Sequence, residues 1–234
     1  MEAIVLAGGF GTRLRRVVSN VPKPMAPIDD AGTPFLAVLL RKIAKEGINK
    51  IILSTGYMHE IIEQYFGDSF ANMSIIYSNE SSPLGTGGAV KEALSLCSED
   101  NVFVLNGDTY FDVDLRGMYK RHVSTRADIT IAIKEMHNFD RYGNILIDGD
   151  NVTAFQEKKY CKRGFINGGI YCLSKKESKI MPEGKFSFEK DFMEKQLPFI
   201  KAKVWNSRGI FIDIGIPSDY EHSRKLLANN VEGE

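Results

Sequence analysis

Long apolar runs are missing from this sequence. The longest unbroken one, Phe35 to Leu40, falls far short of the roughly 20 residues that cross a bilayer, and Met1-Glu2 opens no basic leader. A cytoplasmic protein without a membrane partner is expected. Cysteine is scarce: Cys97, Cys161 and Cys172 form no C-x-x-C pair, and an odd count excludes a closed disulfide framework, so they read as packing residues in a reducing compartment. Four scattered histidines (His59, His122, His137, His222) show neither H-x-H nor H-E-x-x-H spacing, so any metal must sit on carboxylates. Net charge is absent too. The 30 Lys+Arg cancel the 30 Asp+Glu, which removes the field that non-specific nucleic-acid binders use. No linker, low-complexity stretch or internal repeat divides the chain.

What is present is one globular domain's worth of sequence, 234 residues of which 43% are apolar. Strand-like and helical runs alternate through the first half: strands at 3–7, 51–53, 74–77 and 102–105, helices at 60–66 and 87–96. This is the pattern of a parallel sheet with crossover helices. Thr33-Pro34 supplies an N-cap and an N1 proline ahead of Leu36, Leu39, Leu40 and Ile43, and Gly47 stands where a C′ glycine belongs. Beyond about residue 127 strands follow one another (129–133, 144–147, 170–173), which predicts an antiparallel extension. A closing helix is expected over 217–227.

Leu6-Ala7-Gly8-Gly9-Phe10-Gly11-Thr12-Arg13-Leu14 is a glycine-rich turn at the carboxyl end of the first strand, where open α/β sheets bind ligands. Glycines there let backbone N–H groups approach phosphate oxygens. Two common phosphate loops do not fit: G-x-G-x-x-G from Gly9 would need glycine in place of Leu14, and G-x-x-x-x-G-K-[ST] is absent. Taken alone, the segment also reads as a tight strand-to-helix turn with an exposed arginine. Pro22-Lys23-Pro24 follows, two prolines fixing the backbone around one lysine. Residues 1–28 carry Arg13, Arg15, Arg16 and Lys23 against Glu2 alone, so positive charge gathers at the glycine loop of a neutral chain.

Two acids stand out. Asp108 follows an apolar strand and reads either as an Asn-Gly-Asp turn or as a carboxylate at the strand's carboxyl end. Asp213 is bracketed by Phe211-Ile212 and Ile214, a run in which an unpaired carboxylate is costly, so it needs a donor, a cation or a cleft. From Glu157 to Arg163 five of seven residues are charged, the pattern of a solvated loop.

With these residues in place the chain resembles the sugar-1-phosphate nucleotidylyltransferases, also called nucleotide-sugar pyrophosphorylases, whose hallmark L-A-G-G-x-G-T-R-L followed by P-K-P it matches residue for residue. The match continues through Pro83-Leu84-Gly85-Thr86-Gly87-Gly88, Asn106-Gly107-Asp108, Tyr142-Gly143, Glu157-Lys158, Asn167-Gly168-Gly169 and Asp213, nearly the whole chain. The resemblance implies a single α/β domain, Rossmann-like, with a mixed and mainly parallel sheet and flanking helices: a nucleotide half over about 1–126 and a sugar-phosphate half over about 127–230.

The implied reaction is attack of a sugar 1-phosphate on the α-phosphorus of a nucleoside triphosphate, with loss of pyrophosphate, so positioning and charge neutralisation must supply the catalysis. The resemblance implies that Arg13 neutralises the triphosphate and Lys23 orients the α-phosphate, with Leu6, Gly8, Gly9, Gly11, Thr12, Gly85 and Thr86 around the nucleotide. Asp108 and Asp213 would hold Mg²⁺, a hard cation suited to carboxylate and phosphate oxygens. Lys158 would take the sugar phosphate and Glu157 the sugar hydroxyls, with Gly143 and Asn167 completing the pocket. Lys159 departs from the proline that often follows that lysine in the family. Glu80, where pyrimidine-using members commonly carry glutamine, can accept two parallel hydrogen bonds from guanine and so favours GTP. Small members with the L-G-T-G-G, I-N-G-G-I-Y and F-I-D-I-G segments are guanylyltransferases acting on a heptose 1-phosphate, which implies a GDP-heptose product for bacterial surface glycans such as capsule or lipopolysaccharide. The alternatives are a mannose 1-phosphate guanylyltransferase or a uridylyl or thymidylyl transferase. A regulatory nucleotide binder is disfavoured by retention of Arg13, Lys23, Asp108, Lys158 and Asp213, and an NAD-dependent oxidoreductase by the missing glycine. A homo-oligomer is compatible with the sequence.

Overall fold

The computed structural model describes residues 1–9, 11, 14 and 17–227. Strands β1 (Glu2–Leu6), β2 (Lys50–Thr55), β4 (Met73–Asn79) and β5 (Asn101–Asn106) lie parallel in the order β4-β2-β1-β5, with the short β3 (Ser69–Phe70) antiparallel on the outer edge. Helices α1 (Phe35–Lys45), α2 (His59–Phe66) and α3 (Gly85–Leu94) make the connections. Side chains alternate along each strand. Ala3, Val5, Ile51, Leu53, Phe103 and Leu105 pack against Leu36, Leu39, Leu40 and Ile43 of α1, while Ile4, Ile52, Val102 and Val104 meet Val90, Ala93 and Leu94 of α3. Covering both faces is why these strands read as unbroken apolar runs.

The second half is built on β10 (Cys161–Ser174), which runs antiparallel to β5 and to β7 (Ile129–Phe139) and, in its first part, to β8 (Asn144–Asp148). Strand β9 (Asn151–Gln156) pairs with β8 and touches β11 (Ala202–Asn206), which lies parallel to β7. The pairings β10-β7-β11-β9-β8-β10 close into a ring. Parallel pairing therefore dominates only the first half, and the expected mainly parallel sheet gives way beyond β5, where β7 to β10 follow one another with no crossover helix between them and pair antiparallel, as the run of strands after about residue 127 predicts. The β5–β10 pairing makes one continuous sheet of the two halves.

A two-stranded ribbon of β6 (Thr109–Phe111) and β12 (Phe211–Asp213) crosses between the halves, and α5 (Pro217–Leu227) closes the chain as expected. The helix over 35–45 starts one residue later than its sequence suggests. Pro34 is the N-cap, with an extended backbone (φ −66, ψ 146), because Pro27 bridges to Pro34 and Phe35 N–H donates to the Ala26 carbonyl at 2.9 Å. Gly47 takes the left-handed conformation expected of it, at φ +92. Helix α4 (Leu115–Thr125), capped by the Asp114 carboxylate on Gly117 N–H at 2.8 Å, and a π-helical segment at Phe188–Glu194 were not anticipated. All three cysteines are free, with Cys97 and Cys172 in the core. No helix among the described residues is long and apolar enough to cross a membrane.

Candidate active site

A small apolar cluster sets the corner where Lys23, Asp108 and Asp213 meet. It joins Leu14, Ala26 and Ile28 from the segment after β1, Phe35 and Val38 of α1, Tyr110 of β6, Ile212 and Ile214 around Asp213, and Tyr220 and Leu227 of α5. Each polar residue of interest sits one to three positions from a residue anchored there: Lys23 before Ala26, Asp108 before Tyr110, Asp213 between Ile212 and Ile214. The ribbon aligns Asp213 with Thr109, and Ile214 N–H donates to the Asp108 carbonyl at 3.1 Å. Residues over a hundred positions apart thereby share one corner.

Lys23 lies in a single 3₁₀ turn, Lys23–Met25, entered from an extended Pro22 (φ −64, ψ 151). Its side chain is 9% exposed, and its Nζ donates to Asp108 Oδ2 at 2.6 Å and lies 3.6 Å from Asp213 Oδ1. Burial pushes the Asp213 carboxyl up from its ordinary value and the neighbouring Asp108 adds to the rise, while Lys23 opposes it. Two carboxylates thus compete for one ammonium. Gly11 is left-handed at φ +57, and a Cβ there would stand 2.7 Å from Lys23 Cβ; it supports the lysine and does not line the cavity beside it.

That cavity, about 340 Å³, opens at the carboxyl ends of β1 and β5, the topological switch point of the sheet. Leu6, Gly8, Gly9, Lys23, Glu80, Gly85, Thr86 and Asp108 line it, so most of the expected nucleotide set comes together, joined by Ser54 and Asn106. Thr12 and Arg13 lie outside the described residues. Glu80 Oε2 accepts from Leu84 N–H at 2.8 Å, and Oε1 would be 3.1 Å from a Cβ on Gly8, so glycine is needed there for close approach. Burial raises the Glu80 carboxyl above its ordinary value.

A second cavity of about 340 Å³ gathers Gly143, Glu157, Lys158 and Asn167, together with Tyr142, Asn144 and Gln156. Glu157 already has a partner, Lys190 Nζ at 2.7 Å. Tyr142 packs edge-on against Phe211, with ring centroids 5.6 Å apart. The expected sugar residues are therefore together but more exposed than the corner.

Sequence reasoning missed Glu189, which lines both cavities. It belongs to the π-helical segment, a geometry often found at functional sites. Its Oε2 accepts from Thr86 Oγ1 at 3.1 Å and its Oε1 from Tyr171 OH at 3.2 Å, and that phenol in turn accepts from Asn167 Nδ2 at 2.8 Å. Burial, with Glu189 beside it, holds the Tyr171 phenol well above its ordinary value. One usable signal existed: Ser187 ahead of Glu189 and Asp191 is an N-cap with acids in the first turn.

Among the described residues no cluster of three or more His, Cys, Asp or Glu could hold a metal. The Asp108–Asp213 pair is nonetheless hard-oxygen chemistry around a positive charge, with the Lys23 ammonium standing where a cation would be attracted. The donor set fits a divalent ion completed by phosphate oxygens and water.

Residues 2–228 match the nucleotidyl transferase family. A D-glycero-alpha-D-manno-heptose 1-phosphate guanylyltransferase of Aneurinibacillus thermoaerophilus is 51% identical over 99% of this chain and all of its own length. The enzyme of the same name from Campylobacter jejuni is 44% identical over 98% of this chain and all of its own. Among solved structures, HddC from Yersinia pseudotuberculosis complexed with GMP-PN superposes with a TM-score of 0.82 at 38% identity, covering 96% of this chain and 98% of that one.

Proposed function

This chain belongs to the nucleotidyl transferase family, and we propose that it transfers a guanylyl group from GTP to D-glycero-α-D-manno-heptose 1-phosphate, giving GDP-heptose and pyrophosphate. The observation that carries the reading is the corner where Lys23 meets Asp108 and Asp213 at the mouth of a nucleotide-sized cavity, in a chain 51% identical to a protein bearing that activity's name. A phosphate oxygen of the heptose 1-phosphate forms the new bond to the α-phosphorus, and the bond from that phosphorus to the bridging oxygen of pyrophosphate breaks. Lys23 holds the α-phosphate, Lys158 the incoming sugar phosphate, and Arg13 the departing pyrophosphate. Lys23 is a preorganised charge at the corner where negative charge must be gathered.

Asp108 and Asp213 would hold Mg²⁺, which when bound supplies further neutralisation of the triphosphate. Glu80 Oε1 would meet the base, and a half-buried carboxylate there would accept from guanine N–H groups, where uracil or thymine would present an acceptor. Glu189 spans the two cavities and would fix both ligands relative to each other. GTP and sugar phosphates are solutes of the cytoplasm, where this reading locates the enzyme.

Pyrophosphate release measured for each of five nucleoside triphosphates against a panel of sugar 1-phosphates tests the reading. GTP with the heptose 1-phosphate should give the highest kcat/KM, by about tenfold or more over mannose 1-phosphate, equivalent to roughly 1.4 kcal/mol of differential transition-state binding. A preference for mannose 1-phosphate would replace the sugar, and a preference for UTP or dTTP would replace the base.

A further inference from the structure

We propose that Lys23 locks the cation site: in the ligand-free protein its ammonium occupies the place against Asp108 and Asp213, and a divalent ion reaches both carboxylates only once a triphosphate has drawn the lysine away. The inference rests on the reading of Asp108 and Asp213 as the metal-holding pair.

The root of the side chain cannot move. Pro22 and Pro24 fix the backbone on either side, Pro24 and Met25 are buried, and Gly11 lies so close that a Cβ on it would stand 2.7 Å from Lys23 Cβ. Only the ammonium end can swing, between the carboxylates and the adjoining cavity that Lys23 also lines. At 2.6 Å from Asp108 Oδ2 the ammonium fills that oxygen's coordination space, and at 3.6 Å it also neutralises Asp213. A cation cannot share that position with it.

Among the described residues, the other nearby cations are already engaged. Arg141 acts on Asp213 through space but is tied to Asp219 at 2.8 Å, and Lys42 is held by Asp112 at 2.7 Å and Glu46 at 2.9 Å. A triphosphate offers Lys23 new anionic partners, and its departure leaves the two carboxylates facing each other with no ammonium between them. Nucleotide and metal must then favour each other's binding, because both are linked to the same displacement. Free metal would find the site closed, and the phosphates would reach Lys23 only by giving up an ion pair that metal then replaces.

Mn²⁺ titration by calorimetry, without nucleotide or sugar, reads the lock directly. Wild type should bind Mn²⁺ weakly, and Lys23→Met should bind it about tenfold or more tightly, with a larger Mn²⁺-induced rise in melting temperature. Adding Asp213→Asn to Lys23→Met should abolish the gain. Arg141→Gln, which removes a nearby positive charge without opening the site, should change affinity by less than about threefold. If Lys23→Met fails to fold by circular dichroism, Lys23→Gln is measured in its place. No tightening in the lysine variant would overturn the lock while leaving the metal pair standing, as would an equal gain in Arg141→Gln, which would mean general charge and not occupancy. A gain that survives Asp213→Asn would place the ion elsewhere and overturn the metal reading itself. None of these outcomes depends on the choice of base or sugar.

Discussion

The two ends of the sheet each set acid against lysine, a buried Glu2 at one and the half-buried Asp108 and Asp213 at the other, and they treat the acid in opposite ways. At the amino end of β1, Glu2 accepts from Lys50 Nζ at 2.9 Å, from Ser98 and Glu99 N–H at 2.7 and 3.0 Å, and from the Ser98 hydroxyl. Burial alone would raise its pKa, but these donors outweigh burial and hold it at about 2. At the carboxyl end, Asp108 and Asp213 share Lys23, and Asp213 is pushed up. The same residue types are saturated with donors at one end and undersupplied at the other. A saturated carboxylate is structure, whereas an undersupplied pair is a place waiting for a cation or a phosphate.

The largest effect should come from emptying the undersupplied end. Asp108→Asn should lower turnover by about a thousandfold or more, and the Asp108→Asn/Asp213→Asn pair should be little worse than the worse single variant, since groups that act as a unit are not additive. Simple additivity in steady-state pyrophosphate release would break the pairing. Next, Lys23→Ala and Arg13→Ala should each cost about a hundredfold in turnover with circular dichroism unchanged; near-normal rates would remove the phosphate role.

Stability should respond the other way round. Glu2→Gln should lose about 2 kcal/mol in urea unfolding, from weakened buried hydrogen bonds and a lost ion pair, with turnover unchanged. The sign with pH follows from the lowered pKa: the contribution of Glu2 is complete above its ordinary 4.5 and is lost as pH falls toward about 2. Acid should therefore erode the melting temperature of wild type more steeply than that of Glu2→Gln across that window. Asp213 has the opposite sign, so ionisation opposes folding as pH rises through its raised pKa. Asp213→Asn should then melt slightly higher than wild type at neutral pH in the absence of ligands. The smallest effect concerns the base: Glu80→Gln should reduce preference for GTP over UTP by several-fold, with little change in the summed rate.

Much of the undersupplied end was legible in the chain, because its signals are local: a strand run ending in glycines, a lysine between prolines, an aspartate inside an apolar run. The distribution of partners was not. Nothing near Glu189 announces that it will accept from Thr86, more than a hundred residues earlier, and a π turn has no 3.6-residue apolar period to read. Glu157 looked free for sugar hydroxyls, yet Lys190, 33 residues on, holds it. Helix α4 escaped because Gly117 and its many polar residues blunt the periodicity, although Asp114 was a cap in plain view. The closed ring of the second half depends on one long strand, β10, serving both β7 and β8 while it also joins β5, a sharing that hydrophobic alternation cannot encode.

The measurement that bears most directly on the contrast between the two ends is the initial rate of pyrophosphate release from GTP and D-glycero-α-D-manno-heptose 1-phosphate, at saturating Mg²⁺, for wild type, Glu2→Gln and Asp213→Asn. The account predicts equal rates for wild type and Glu2→Gln and a loss of about a thousandfold or more in Asp213→Asn. A full rate in Asp213→Asn, or no release by wild type with any sugar 1-phosphate, would contradict it.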